Sequence, residues 1–153
     1  MLDKQSILQE ISPTAVLQIL TPETLHAINE NCLGEKYIGI WKFPFRVGRE
    51  SRIKTVDGKA VLSERQKNSL TSPNNDIYLI DSGKYLQISR QHFQIESTES
   101  GYILRDRSSA CGTMVNGAQV GGEDMGGVHA LQDGDIIKIG AENSPFQFKF
   151  ILL

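Results

Sequence analysis

The chain has 153 residues, of which 39% are hydrophobic and 22% charged, enough apolar matter for one packed core and too much for wholesale disorder. Its formal net charge of −2, from 16 Lys+Arg against 18 Asp+Glu, argues against a general nucleic-acid binder, which carries a basic surplus. No stretch approaches the roughly 18 apolar residues of a membrane span, and the start, Met1-Leu2-Asp3-Lys4-Gln5, has no basic region leading into an apolar run. A soluble, cytoplasmic protein without membrane or nucleic-acid partners is expected.

Helix punctuation dominates before Gly34. Ser12-Pro13 and Thr21-Pro22 each set a capping hydroxyl before a proline at the first helical position. Ile7, Leu8 and Ile11, and later Leu25 and Ile28, recur at helical spacing. Leu33-Gly34 reads as a helix stop. Residues 1–34 are therefore expected to form a helical extension, with two or three short helices in 3–32 that must pack on something to be stable.

From residue 35 onward the period becomes two. Strands are expected at Tyr37–Lys42, Phe45–Arg49, Ile77–Asp81, His92–Glu96, Tyr102–Asp106 and Asp135–Gly140. In the last strand Phe146, Phe148, Phe150 and Leu152 alternate with Gln147, Lys149 and Ile151. Ser100-Gly101, Asn116-Gly117 and Asp133-Gly134 mark the turns. Many short strands with no helix between them predict an all-β fold, an antiparallel sandwich over 35–153.

Two stretches interrupt that rhythm. Residues 50–74 form a charged insertion in which Asp57-Gly58, between Ile53, Val56, Ala60 and Val61, signals a hairpin. Its tail, Asn68–Asn74, reads as mobile loop. In the insertion Arg52, Lys54, Lys59, Arg65 and Lys67 face Glu50, Asp57 and Glu64, a cationic surplus. Gly121-Gly122-Glu123-Asp124-Met125-Gly126-Gly127 reads as a flexible loop, and it lacks the Lys-Ser/Thr ending of a phosphate loop.

Catalytic arrangements find little support. His26, His92 and His129 have no metal-ligand spacing with a cysteine or a second histidine, and no nucleophile elbow is present. No enzyme, metal or cofactor is expected. Cys32 and Cys111 are too few and too far apart for a disulfide framework, so reduced thiols are expected.

Polar residues gather instead at strand ends. Gly48-Arg49 closes a strand, Ser89-Arg90-Gln91-His92 precedes another, and Ala110-Cys111-Gly112-Thr113-Met114-Val115-Asn116-Gly117 runs through a hairpin. Leu131-Gln132-Asp133-Gly134-Asp135 then leads into a further strand. In this order the four segments resemble the forkhead-associated (FHA) domain family, whose pattern runs Gly-Arg, Ser-x-x-His, Asn-Gly-Thr-x-x-Asn-Gly and Leu-x-x-Gly-Asp. The resemblance covers roughly residues 36–153. It implies a β-sandwich of the FHA type whose loops at one end bind phosphothreonine peptides, and hence a phosphorylated protein partner and a Ser/Thr kinase.

By that resemblance Arg49 and Ser89 contact the phosphate, and His92 supports their loop from beneath. The chemistry suits the ligand: a phosphothreonine carries nearly two negative charges and three strong acceptors, which a guanidinium fork and short donors can hold. Arg90 adds a cation or simply faces solvent. Gly48, Gly112, Thr113, Asn116 and Gly117 are expected to support the site, with Asn116-Gly117 a type I′ turn. Arg49 as a solvated charge and Ser89 as a turn cap are the plainer alternatives.

The chain departs from the family where it has Ala110 and Cys111. The family's asparagine, at the place of Cys111, contacts the ligand backbone, and the preceding Ser or Thr helps hold the phosphate. Alanine donates nothing and cysteine little, and each hydrogen bond to a charged group is worth roughly 1.5–3 kcal/mol. Cys111 is expected to be packed; a thiol activated by nearby cations is the alternative. The insertion's cations either compensate at the site or decorate the surface. Against the phosphate-dependent module stands an FHA-like scaffold that binds a partner, or itself, without phosphate.

Overall fold

The structure is a computed structural model that describes residues 3–28, 33–49, 53–62, 74–81 and 83–153. Helix α1 (Lys4–Ile11) opens it, capped by the Asp3 carboxylate, which accepts the Ser6 N–H at 2.8 Å. Hydrogen bonds from the Ser6 backbone and side chain hold the Asp3 carboxyl below its usual range. Strand β1 (Ala15–Ile19) and helix α2 (Pro22–Ala27) follow. Thr21 caps α2 with Pro22 in its first turn, as the sequence predicts.

The purely helical reading of the first 34 residues is corrected by β1. Ser12 is the C-cap of α1 rather than the start of a new helix. The physical reason is Pro13, which disfavours helical backbone in the residue before it. Ala15-Val16-Leu17-Gln18-Ile19 is a short apolar run that periodicity alone cannot assign. Here it is a strand whose first three residues are buried. Nor does α1 pack its apolar side chains: Ile7, Leu8 and Ile11 stay exposed, and Trp41 Nε1 donates to the Ile11 carbonyl at 3.0 Å.

The remaining strands are β2 (Tyr37–Ile40), β3 (Phe45–Arg49), β4 (Ile53–Val56), β5 (Lys59–Leu62), β6 (Ile77–Leu79), β7 (Phe93–Thr98) and β8 (Gly101–Asp106). Then come β9 (Thr113–Val115), β10 (Ala118–Val120), β11 (Gly127–Leu131), β12 (Ile136–Ile139) and β13 (Gln147–Leu152). They build a six-stranded sheet in the order β10-β9-β12-β13-β1-β2 and a five-stranded sheet in the order β11-β8-β7-β3-β6. Pairing is antiparallel except between β3 and β6, which run parallel. β4 and β5 pair with each other around Asp57 and Gly58, both at positive φ, as the hairpin signal predicts. The expected mobile tail lies, but for Asn74, outside the described residues, as do Cys32, Arg52, Arg65 and Lys67.

One core lies between the two sheets. Phe148 and Phe150 of β13 are buried, with Phe93 and Ile95 of β7 and Leu104 of β8. Tyr102 of β8 reaches across to Phe150, with ring centroids 5.7 Å apart. Apolar burial on this scale is what holds strands too short to persist alone.

Candidate functional site

At one end of the five-stranded sheet the end of β3, the turn after β8 and the stretch before β7 line an open cleft of about 620 Å³. Arg49, Ser89, Arg90, Ala110 and Cys111 all line it, together with Arg107. The strand β3 delivers Arg49, whose N–H donates to the Ser89 carbonyl at 3.0 Å and whose Nε donates to the Ile88 carbonyl at 3.0 Å. Two segments forty residues apart in the chain are thus joined along their backbones. Close approach demands Gly48: a Cβ there would lie 2.1 Å from the Arg90 carbonyl oxygen and 2.6 Å from Asn75 Nδ2.

His92 fastens the next two pieces. It is fully buried; its Nδ1 accepts the Ser89 N–H at 3.0 Å, so the proton sits on Nε2, which donates to the Gly112 carbonyl at 2.7 Å. Burial pushes its pKa down to about 4, against the opposing pull of the Gly112 carbonyl and Asp106. The ring is therefore neutral at physiological pH. Ser89 Oγ in turn accepts the Ala110 N–H at 3.0 Å. Ser89's own N–H is thereby committed to His92, while its hydroxyl proton is left to donate elsewhere.

Beneath the loop after β8 lies a polar knot that the sequence reading missed. Asp106, buried, accepts from the Ser109 N–H at 2.9 Å, the Ser109 hydroxyl at 2.7 Å and the Thr113 hydroxyl at 2.8 Å. Ser109 Oγ also accepts the Gly112 N–H at 2.9 Å. Gly112 sits at φ +81, and Asn116 and Gly117 make the expected turn at φ +49 and +84. Asn116 does more than turn: its Oδ1 accepts the Ile136 N–H and its Nδ2 donates to Asp135. Cys111 is a free thiol at intermediate exposure, its sulfur 3.5 Å from the Leu86 carbonyl.

The glycine-rich stretch expected to be a flexible loop is tied to this knot. Glu123 N–H donates to the Ala110 carbonyl and Asp124 N–H to the Ser109 carbonyl, at 2.9 and 3.1 Å, and Gly127 begins β11. This brings Asp124 to the rim of the cleft.

Arg107 was not among the expected site residues, though a cation directly after β8, in the same stretch as Ala110, was a visible signal. Its Nη1 donates to Asn75 Oδ1 at 2.6 Å and its Nη2 to the Asn74 carbonyl at 2.9 Å. Burial, and then the nearby Arg46, pulls its guanidinium below the usual arginine value without discharging it at neutral pH. Among the described residues no cluster of His, Cys, Asp and Glu could hold a metal ion. Likewise no described helix is long and apolar enough to cross a membrane.

The FHA domain family model matches residues 45–140. No curated protein matches the chain. Among solved structures it is similar to EmbR of Mycobacterium tuberculosis, in complex with a low-affinity phosphopeptide, at 18% identity and a TM-score of 0.53. That likeness covers 97% of this chain but only 28% of EmbR. An FHA domain of Arabidopsis thaliana aligns at 20% identity and a TM-score of 0.53, over 94% of this chain and 88% of its own. An engineered FHA with a Myc-pTBD peptide aligns at 16% identity and a TM-score of 0.52, over 93% of each chain. At these identities the shared property is the fold.

Proposed function

The chain belongs to the forkhead-associated domain family, and from that premise we propose that it is a non-catalytic module that binds phosphothreonine peptides of a partner protein in Ser/Thr kinase signalling. The observation that carries the reading is the convergence of Arg49 and Ser89 on one cleft, joined through the 3.0 Å bond from the Arg49 N–H to the Ser89 carbonyl. The phosphopeptide held by EmbR supports it as well.

In this reading Arg49 presents its guanidinium to the phosphate oxygens, a charge-assisted contact of the strong kind. Ser89 gives its hydroxyl proton to another oxygen, its rotor fixed because its oxygen already accepts the Ala110 N–H. His92 takes no part in recognition; it holds the Ser89 and Gly112 backbones at a fixed separation, so the site is formed before the ligand arrives. Arg90 contributes long-range attraction. Ala110 and Cys111 offer no strong side-chain donor. Binding then rests on fewer contacts than the family pattern provides.

That last observation favours a second reading, in which the fold docks a partner without phosphate. Titration with a degenerate phosphothreonine library and its unphosphorylated counterpart separates the two. The module requires binding of the phosphorylated pool only, and a loss of about a hundredfold in Arg49→Ala, far beyond what losing the Nε bond to the Ile88 carbonyl, about 1 kcal/mol of stability, would cause. Equal affinity for the two pools retires it in favour of the scaffold.

A further inference from the structure

Helix α1 is short, and none of its eight residues is buried. A helix below about 12–15 residues is marginal in water unless an apolar face packs on something. Ile7, Leu8 and Ile11 fall on one stripe of α1. Trp41 extends that stripe, since its Nε1 donates to the Ile11 carbonyl. Its ring lies along β2, where a Cβ on Gly39 would meet it at 2.5 Å. Leu153 joins from the other side: Thr14 donates to the Ile40 carbonyl and accepts the Leu153 N–H. These five large apolar side chains are between 44% and 73% exposed.

At about 200 Å² for a large side chain, they offer about 500 Å² to a partner, and a symmetric pair would remove about 1,000 Å² from water. That is near the lower bound for a specific interface and fits reversible association. The patch also lies away from the cleft. Trp41 precedes β3 and Arg49 ends it, so the two stand at opposite ends of that strand, about 15 Å apart along it at 3.3 Å per residue.

The charges of α1 indicate what covers the patch. Beyond the capping Asp3, the helix carries Lys4 and Glu10, which stand three residues either side of Ile7. Among the described residues neither forms an ion pair. Two copies of α1 crossing antiparallel about a two-fold axis at Ile7 bring Lys4 of each copy opposite Glu10 of the other, with the apolar stripes between them. A patch complementary to its own image is what an isologous contact requires.

We propose that α1, with Trp41 and Leu153, is a self-association surface through which two copies of this chain pair about a two-fold axis, helix antiparallel to helix, leaving both clefts open. The pairing does not rest on the phosphothreonine reading, since the patch and the cleft share no residue.

The test is sedimentation equilibrium of the whole chain under reducing conditions, from about 5 to 500 μM. A monomer–dimer equilibrium with a dissociation constant of about 10–100 μM is expected. Ile11→Asp should weaken it more than tenfold. Lys4→Glu and Glu10→Lys should each weaken self-association about tenfold, because each sets like charges opposite one another in both halves of the pair. An equimolar mixture of those two variants should regain wild-type affinity, since every facing pair is again of opposite sign. All three substitutions change exposed side chains, so each chain keeps its own fold at dilutions where it is single. A chain that stays monomeric to 500 μM overturns the proposal, as does a dimer indifferent to Ile11→Asp. A mixture that associates no better than its components overturns the antiparallel pairing, and it decides the matter even if Ile11→Asp does not fold.

Discussion

At the cleft, Asp106, Ser109, Thr113 and His92 are polar and buried; in α1, Ile7, Leu8 and Ile11 are apolar and exposed. Both regions invert the usual sorting of side chains, but with different consequences. The buried polar groups are satisfied by one another and by loop backbone, so they act as an internal frame for irregular chain that no sheet ladder could hold. The exposed apolar groups of α1 frame nothing, and the helix meets the sandwich through the bond from Trp41 to the Ile11 carbonyl. Polarity in the sequence is therefore a poor guide to what is structural here.

Breaking the frame should show this contrast most strongly. Asp106→Ala orphans the Ser109 N–H and hydroxyl and the Thr113 hydroxyl at once, and should cost about 3 kcal/mol or more in urea unfolding. Acid should have a similar effect through His92. Its folded pKa of about 4 lies below the ordinary 6.5, so the unfolded chain takes up the proton first. Stability is then complete above pH 6.5 and declines as pH falls toward 4, by about 3 kcal/mol in all. Thermal melts between pH 7 and 4.5 that show no decline attributable to His92, judged against a His92→Gln variant, would contradict it.

Gly48→Ala sharpens the comparison within the cleft. The new Cβ meets a backbone carbonyl rather than a flexible tip, so the loss should be about 1–3 kcal/mol, and phosphopeptide affinity should fall with it. Cys111→Asn should act the other way, raising phosphopeptide affinity by up to about tenfold in titration by restoring a strong donor and acceptor. The smallest effect belongs to the other region: Ile11→Ser should leave unfolding free energy within about 0.5 kcal/mol of the parent chain.

The strands of the sandwich were legible because their residues alternate and their turns carry Asn116-Gly117, Asp57-Gly58 and Asp133-Gly134. Cleft residues at Arg49, Ser89, Arg90, Ala110 and Cys111 were legible as a spaced pattern, and the structure brings all of them to one opening. Strand β1 was hidden, since five apolar-rich residues after a proline have no period long enough to read. Asn75 was hidden for another reason. Asn75 comes to lie behind the cleft, bonded to Arg107 and to the Arg90 carbonyl, next to β6, whose parallel pairing with β3 is long-range and leaves no local mark.

Strands β13 and β1 lie side by side in the larger sheet, yet they come from nearly opposite ends of the described residues. The Leu153 N–H even donates to the Thr14 carbonyl at 3.1 Å. The stretch 45–140, over which kinship is detectable, is consequently not a self-sufficient folding unit. Cut to those bounds, it would lack three strands of one layer, β1, β2 and β13, and Tyr102 would lose the Phe150 ring it packs against.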